Sequence, residues 1–230
     1  MKKALLSLLA LAATISTASA QVEIGLKISP IITSLRAEST AKNAFASDGS
    51  RLGFSGGLIV DYFFGENYAF STGLELAGKG GSIRYTDYLN SGSGNGNPVV
   101  VPLKITTQYL QLPLSVKLFT NEIATATRLY FQVGGSLNVP IGTRVNGSKF
   151  FPDPVTGTEN PASDYTFFFD ADALVAAGAE YELGKSTKLF AGLGYHRGLV
   201  DIDHYFERKR NFTDVTIKNS SFGLDLGIKF

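Results

Sequence analysis

The sequence predicts an all-β protein, an eight-stranded antiparallel up-and-down β-barrel that crosses a membrane. Three observations predict it. The chain closes on Phe222, Leu224, Leu226, Ile228 and Phe230, an apolar row at every second position, with Ser221, Gly223, Asp225, Gly227 and Lys229 between. Period two is a strand's period, with successive side chains on opposite faces. Seven earlier stretches repeat this alternation, and the connections between them are alternately short and long.

Taken in order, the first element is a leader. Met1-Lys2-Lys3 is a basic head, Ala4 to Ile15 is apolar apart from Ser7 and Thr14, and Ala18-Ser19-Ala20 offers small residues to a signal peptidase. Residues 1–20 therefore read as a secretory signal peptide, cleaved after Ala20 and excluded from the fold. The apolar run is too short for a comfortable membrane helix. With Gln21 as the new N-terminus no Cys is present to carry a lipid anchor.

Of 21 Lys and Arg, Lys2 and Lys3 lie in the leader, leaving 19 against 20 Asp and Glu. That balance argues against a nucleic-acid partner, which requires a basic field. Cys is absent, so disulfides and thiolate metal sites are excluded. Beyond Ala20 no stretch approaches the ~18 apolar residues of a membrane helix. An exported chain without helical spans can still cross a bilayer as a closed barrel, which satisfies every backbone group.

Residues 21–230 then form one barrel domain. The alternating runs are 22–29, 52–62, 70–77, 109–118, 128–139, 169–181, 188–196 and 221–230. The run 169–181 is rich in Ala, yet its charges keep period two. Strands of roughly 9–11 residues with this dyad are what a tilted spanning strand requires. The apolar rows face lipid, with Leu112, Leu114, Val133, Leu224 and Leu226 outside and Gln111, Lys117, Gln132 and Asp225 inside. Residues 65–67, 120–127 and 182–187 are short connections; 30–51, 78–106, 141–166 and 198–214 are long and polar. Short periplasmic turns opposite long outer loops are the pattern of outer-membrane barrels. An even strand count then puts both termini in the periplasm. Aromatic residues near strand ends fit interfacial girdles: Tyr62, Phe70, Tyr181 and Phe230 at the periplasmic level, Phe54, Phe169 and Tyr195 at the outer one.

Four stretches carry a family resemblance: Gly25-Leu26-Lys27, the run Tyr109-Leu110-Gln111-Leu112-Pro113-Leu114, Gly192-Leu193-Gly194-Tyr195, and Asn219 to Phe230. With them the chain resembles the PorT-like outer-membrane β-barrel proteins of the Bacteroidetes over essentially all of Gln21 to Phe230. The resemblance implies the barrel fold and no particular activity. The founding member is linked to a secretion apparatus, a role these motifs do not carry over. The terminal Phe230 on its apolar row also resembles the signal read by the barrel-assembly machinery, which makes that machinery an expected partner beside outer-membrane lipid.

The expected inward row contains Glu23, Lys27, Asp61, Glu75, Lys117, Arg128, Asp170, Asp172, Glu180, Lys188, Asp225 and Lys229. Eight strands enclose a lumen only wide enough for side chains to fill, and buried charges must pair. The expectation is a plugged, salt-bridged interior in a non-catalytic protein with a structural or interaction role. The alternatives are a small porin or transporter for polar solutes and, third, a lipid-modifying enzyme. A selective pore would favour a one-sign ring, which the sequence lacks. For catalysis the residues to inspect are His196, with Ser220 or Ser221 on the neighbouring strand, and His204. Asp201, Asp203 and His204 are the residues to inspect for a metal. Neither set is assigned a catalytic, cofactor or metal role, and no phosphate-binding loop is present. The aromatics Tyr85, Tyr88, Phe150, Phe151, Tyr205 and Phe206 fall in the expected outer loops, where exposed rings suit a recognition surface for a protein or glycan.

Overall fold

The computed structural model describes residues 21–39, 44–88, 98–152, 157–184, 186–210, 212 and 214–230. The predicted leader lies outside the described residues, as do 89–97 and 153–156 of the two longest connections. Eight strands close into an antiparallel barrel: β1 (Val22–Ser39), β2 (Ala46–Gly65), β3 (Tyr68–Asp87), β4 (Val99–Phe119), β5 (Thr127–Val145), β8 (Asp170–Glu182), β9 (Lys188–Gly198) and β10 (Val215–Lys229). Between β5 and β8 a small hairpin, β6 (Phe150–Pro152) and β7 (Glu159–Pro161), precedes a 3-10 turn at Ala162–Tyr165. A short helix, α1 (Tyr205–Arg210), lies between β9 and β10.

Every barrel strand pairs with its neighbour in sequence, and β1 pairs with β10 to close the ring. The last residue completes that seam. Phe230 N–H donates to the Ile24 carbonyl at 2.9 Å, and Ile24 N–H donates to the Phe230 carbonyl at 3.2 Å. The side-chain register follows the sequence pattern. Leu112, Leu114, Val133, Leu224 and Leu226 are exposed on the outer wall, whereas Gln111 and Lys117 are buried in the lumen. Gln132 points the same way and donates to the inward Ser115 hydroxyl at 2.7 Å.

The strand lengths correct the sequence reading. The stretches 30–51 and 78–106, expected as long loops, are mostly strand, and β2, β3 and β4 run for 20, 20 and 21 residues. Half of such a strand suffices to cross the apolar layer, so the other half stands roughly 20 Å beyond it. The wall is uneven: β8 and β9 have only 13 and 11 residues. The 3-10 turn and α1 fold into the gap this leaves. There they pack on β1, β3, β4 and β10 in one apolar cluster with Leu35, Ile83, Tyr85, Leu103, Ile105 and Ile217.

At the junction of the two levels β3 bends inward. Gly80 has φ +139°, a conformation that favours glycine, and its N–H and carbonyl both bond the Thr33 hydroxyl, at 3.1 and 2.9 Å. A Cβ on Gly81 would lie 2.6 Å from the Leu35 nitrogen. The backbones of β1 and β3, the two neighbours of β2 in the ring, therefore touch past β2, where its register with β3 shifts between Gly49 and Ser55, and pinch the barrel.

Candidate functional site

The interior has three levels. At the end bearing the short turns and both strand termini, Lys229 sits 2.5 Å from Asp61 and is also hydrogen-bonded to Glu180. Lys117 donates to the same Asp61 carboxylate at 2.9 and 3.2 Å, and Lys188 reaches Glu23 at 2.5 Å. Aromatic rings wrap these ammonium groups. Lys229 lies 5.5 Å from the Phe119 ring centre, Lys117 lies 5.4 Å from that of Tyr130, and Lys188 lies 5.7 Å from that of Phe63. Phe63 and Phe119 stack at 5.3 Å and, with Ile59, Tyr130 and Phe190, form a stopper across this end. Sequence reasoning missed the stopper, although Phe63 is in phase with Asp61 and Phe119 with Lys117.

The middle level is polar. Lys27 pairs with Glu75 at 2.8 Å, and the Ser29 hydroxyl donates to Asp225 at 2.5 Å. Two small cavities, about 10 and 20 Å³, share Lys27, Glu75, Gln111, His196 and Asp225 in their walls. Each has room for roughly one water.

The upper part of this level, just below the pinch, holds the candidate catalytic group. Lys79 donates to Asp172 at 2.8 Å and to Asn138 at 3.2 Å, and His196 Nδ1 lies 2.7 Å from the other Asp172 oxygen. Ser221 stands directly opposite His196 in the β9–β10 register, so the sequence-level juxtaposition is real. No hydrogen bond joins that Ser to the imidazole among the described residues, and Ser220 bonds the Tyr195 hydroxyl instead. Asn219 donates to Asp170 at 2.8 Å and to the Tyr109 hydroxyl at 3.2 Å. Acids and bases thus interleave along the whole lumen, with no one-sign ring among the described residues.

Above the pinch the interior turns apolar. Tyr205 stacks on Tyr165 at 4.1 Å, and Phe206 meets Phe45 and Tyr85 edge-on at 4.8 and 4.9 Å. This corrects the expectation of exposed loop aromatics: Tyr85, Tyr205 and Phe206 are 2%, 0% and 0% exposed and form the plug itself. Phe151 packs against it partly buried; Phe150 alone stays open, at 56%. Four of the six expected recognition rings, Tyr85, Phe151, Tyr205 and Phe206, are consumed because the long strands give them an apolar wall to pack on, while Tyr88 is half-buried outside the cluster.

Two charged devices hold the plug. Arg210 grips both oxygens of Asp87 at 2.8 Å, and each partner is nearly buried. Asp203 accepts from the N–H groups of Phe206 and Glu207 at 3.2 and 3.1 Å, capping α1. Burial pushes its carboxyl up to about 6, against the pull of those two N–H groups and with added repulsion from Asp201. Asp201 accepts from Asp203 N–H and Ile217 N–H at 3.0 and 2.8 Å. Of the residues to be inspected for a metal, Asp203 therefore spends both oxygens and Asp201 its Oδ1 on backbone amides, and His204 lies beside the Phe167 ring. No group of three or more His, Asp and Glu among the described residues is placed to hold an ion.

A closed barrel with an apolar outer wall and a charged, packed lumen defines an integral β-barrel membrane protein. The family description "Outer membrane protein beta-barrel domain" matches residues 16–204, and the chain belongs to that family, whose place is the bacterial outer membrane. No curated protein matches the sequence. Among solved structures, the chain is similar to Neisserial surface protein A at 15% identity and a TM-score of 0.49, covering 92% of this chain and 98% of that one. It is similar to the outer membrane protein OprG of Pseudomonas aeruginosa at 13% identity and a TM-score of 0.44, covering 92% and 96%. The attachment invasion locus protein Ail of Yersinia pestis follows at 12% and 0.41, covering 91% and 99%.

Proposed function

We propose that this is a non-catalytic outer-membrane barrel of the PorT-like kind, closed at both ends, whose role is structural or interactive. Its loop end faces outward and both termini lie in the periplasm. The observation that carries the reading is double closure: an aromatic stopper wrapped around ion pairs at one end and an apolar plug at the other. A solute path through this lumen would have to break buried ion pairs, each break costing about 3–5 kcal/mol. Catalysis finds little support, because His196 faces water-sized cavities between these closures.

Purified wild-type barrel in a planar bilayer should give no stable unitary currents; steady unitary conductance would make it a small porin or transporter instead. Replacing His196 with Ala and following outer-membrane lipid composition tests the enzyme reading, which gains only if one specific lipid modification disappears. Outer-membrane lipid surrounds the wall, and the assembly machinery reads the Phe230 row. Phe230→Asp should leave protein in the periplasm. Any protein or glycan partner meets the outer surface of the plug, and trimming the outer loops should then change a cell-surface phenotype.

A further inference from the structure

The outer wall carries a cleft that the closed lumen does not explain. Asn146-Gly147, at φ +51° and +86°, makes a two-residue reversal after β5. The Asn146 side chain locks this turn to β4 by accepting from Lys104 N–H at 2.9 Å. The turn sends the β6–β7 hairpin back beside β5, with Phe151 on the Tyr165 ring of the plug and Lys149 and Phe150 facing the wall residues Thr106, Gln108 and Arg144. Between hairpin and wall lies a cavity of about 580 Å³, far larger than those in the lumen. Its walls include Arg144, Lys149, Thr106, Gln108, Ser163 and Phe150, and no acid among the described residues lines it. The described hairpin strands carry one acid, Glu159, opposite Pro152 at their far end. Neither Arg144 nor Lys149 is committed to an ion pair among the described residues.

Position decides what this cleft meets. On β4 the exposed apolar row ends at Leu110, and on β5 at Val139 and Ile141. The next outward side chains are Gln108, Thr106 and Arg144, which line the cleft. The cleft therefore opens where the apolar layer gives way to headgroups. Two free cations there match a phosphate, which arginine grips in bidentate fashion and lysine meets as a point charge. Thr106, Gln108 and Ser163 supply hydrogen-bonding groups, Phe150 supplies a flat face, and the volume suits a small-molecule site.

We propose that this cleft seats the phosphorylated sugar headgroup of an outer-leaflet glycolipid, with Arg144 and Lys149 on the phosphate. The acyl chains then run down Leu110, Val139 and Ile141. The leaflet rests on the outward orientation of the loop end proposed above; the lipid chemistry does not.

The test is lipid retention by the full-length barrel in detergent, read by native mass spectrometry. The probes are bisphosphorylated lipid A, its dephosphorylated form, and phosphatidylglycerol. Wild type should retain the phosphorylated glycolipid roughly tenfold over either other lipid, and Arg144→Ala with Lys149→Ala should lose that preference. Arg144→Lys with Lys149→Arg should keep most of it, and a heat-modifiable gel shift reports that each variant is folded. Equal retention of the dephosphorylated form or of phosphatidylglycerol by wild type overturns the proposal without recourse to any variant. So does unchanged preference in the folded double-Ala protein, or displacement of the lipid by millimolar inorganic phosphate. Conductance is read separately, so a failure here leaves the closed-barrel reading standing, and the reverse.

Discussion

Below the pinch at Gly80-Gly81 the barrel has an apolar outside and a charged inside; above it the outside is polar and the inside apolar. The same strands do both. On β4, Leu110 to Leu118 face outward around a lumen holding Gln111 and Lys117, while Leu103 and Ile105 face inward behind an outward Lys104. On β10, Phe222 to Phe230 face outward, but Val215 and Ile217 face inward. The solvent outside decides which face must be apolar. In lipid the interior can hold charges only because they are paired; in water the interior is an ordinary core.

If the lower half depends on complete pairing, removing one member should have the largest effect in the molecule. Lys229→Ala leaves Asp61 and Glu180 without their shared cation and should cost about 3–5 kcal/mol. At the exposed pair, Arg84→Ala should cost below about 1 kcal/mol. Urea unfolding in detergent, followed by gel shift, measures both. Equal costs would mean that the lumen charges are solvated and the contrast between halves is false. In the upper half the corresponding change is Phe206→Ala, which removes the ring meeting Phe45, Tyr85 and Tyr165 and should cost about 3 kcal/mol. Here the loss should be local. Amide exchange should rise in α1 and residues 199–204 while the gel-shift temperature of the barrel holds. A matching fall in that temperature would make the two halves one cooperative unit.

The lower half was legible in the sequence because one rule, apolar out and polar in, holds along most of its length and breaks at the aromatic stopper, the part that was missed. The same rule hid the upper half. In β1 the apolar residues run Ile24, Leu26, Ile28 and then shift phase to Ile31, Leu35 and Ala37; in β3 they run Leu74, Leu76 and then Ile83, Tyr85. The alternation never stops, but its apolar row changes face, so a reading keyed to one row ends the strand early and relabels the rest as loop. A one-residue phase shift in the row is the signal that a strand has left the membrane. The lumen ion pairs followed from the inward row, and the His196–Ser221 placement followed from strand adjacency. The closing of the plug by α1 did not, since it depends on β8 and β9 being shorter than their partners.

The phase shift can be probed from the outside. Arg placed at Leu114 meets the apolar layer and should cost about 2–4 kcal/mol. Arg placed at Thr216, also outward but above the shift, should stay within about 0.5 kcal/mol of wild type. Unfolding midpoints of the two variants locate the membrane boundary on the wall; equal penalties would put β10 wholly within lipid.

The finest distinction between the halves is how the upper one answers to pH. Asp203 caps α1 with a carboxyl raised to about 6 by burial, with Asp201 adding to the rise and the Phe206 and Glu207 amides opposing it. When the plug opens, that carboxyl returns to its ordinary value near 3.8. Between those values the closed plug holds the proton more tightly than the open one, so its stability falls as pH rises through the window and levels off above about 6. The span corresponds to about 3 kcal/mol, or somewhat over a hundredfold in the opening equilibrium. Asp203→Asn keeps an oxygen for the two amides, as a good capping residue does, and removes the titration. Hydrogen exchange of the Phe206 and Glu207 amides between pH 4 and 7, corrected for intrinsic rates, should show opening increase with pH in wild type and much less steeply in the variant, where Asp201, also raised by burial, still titrates. Opening that decreases with pH in wild type would mean that the amide bonds outweigh burial at Asp203, and that the plug is held by its cap more than by its aromatic core.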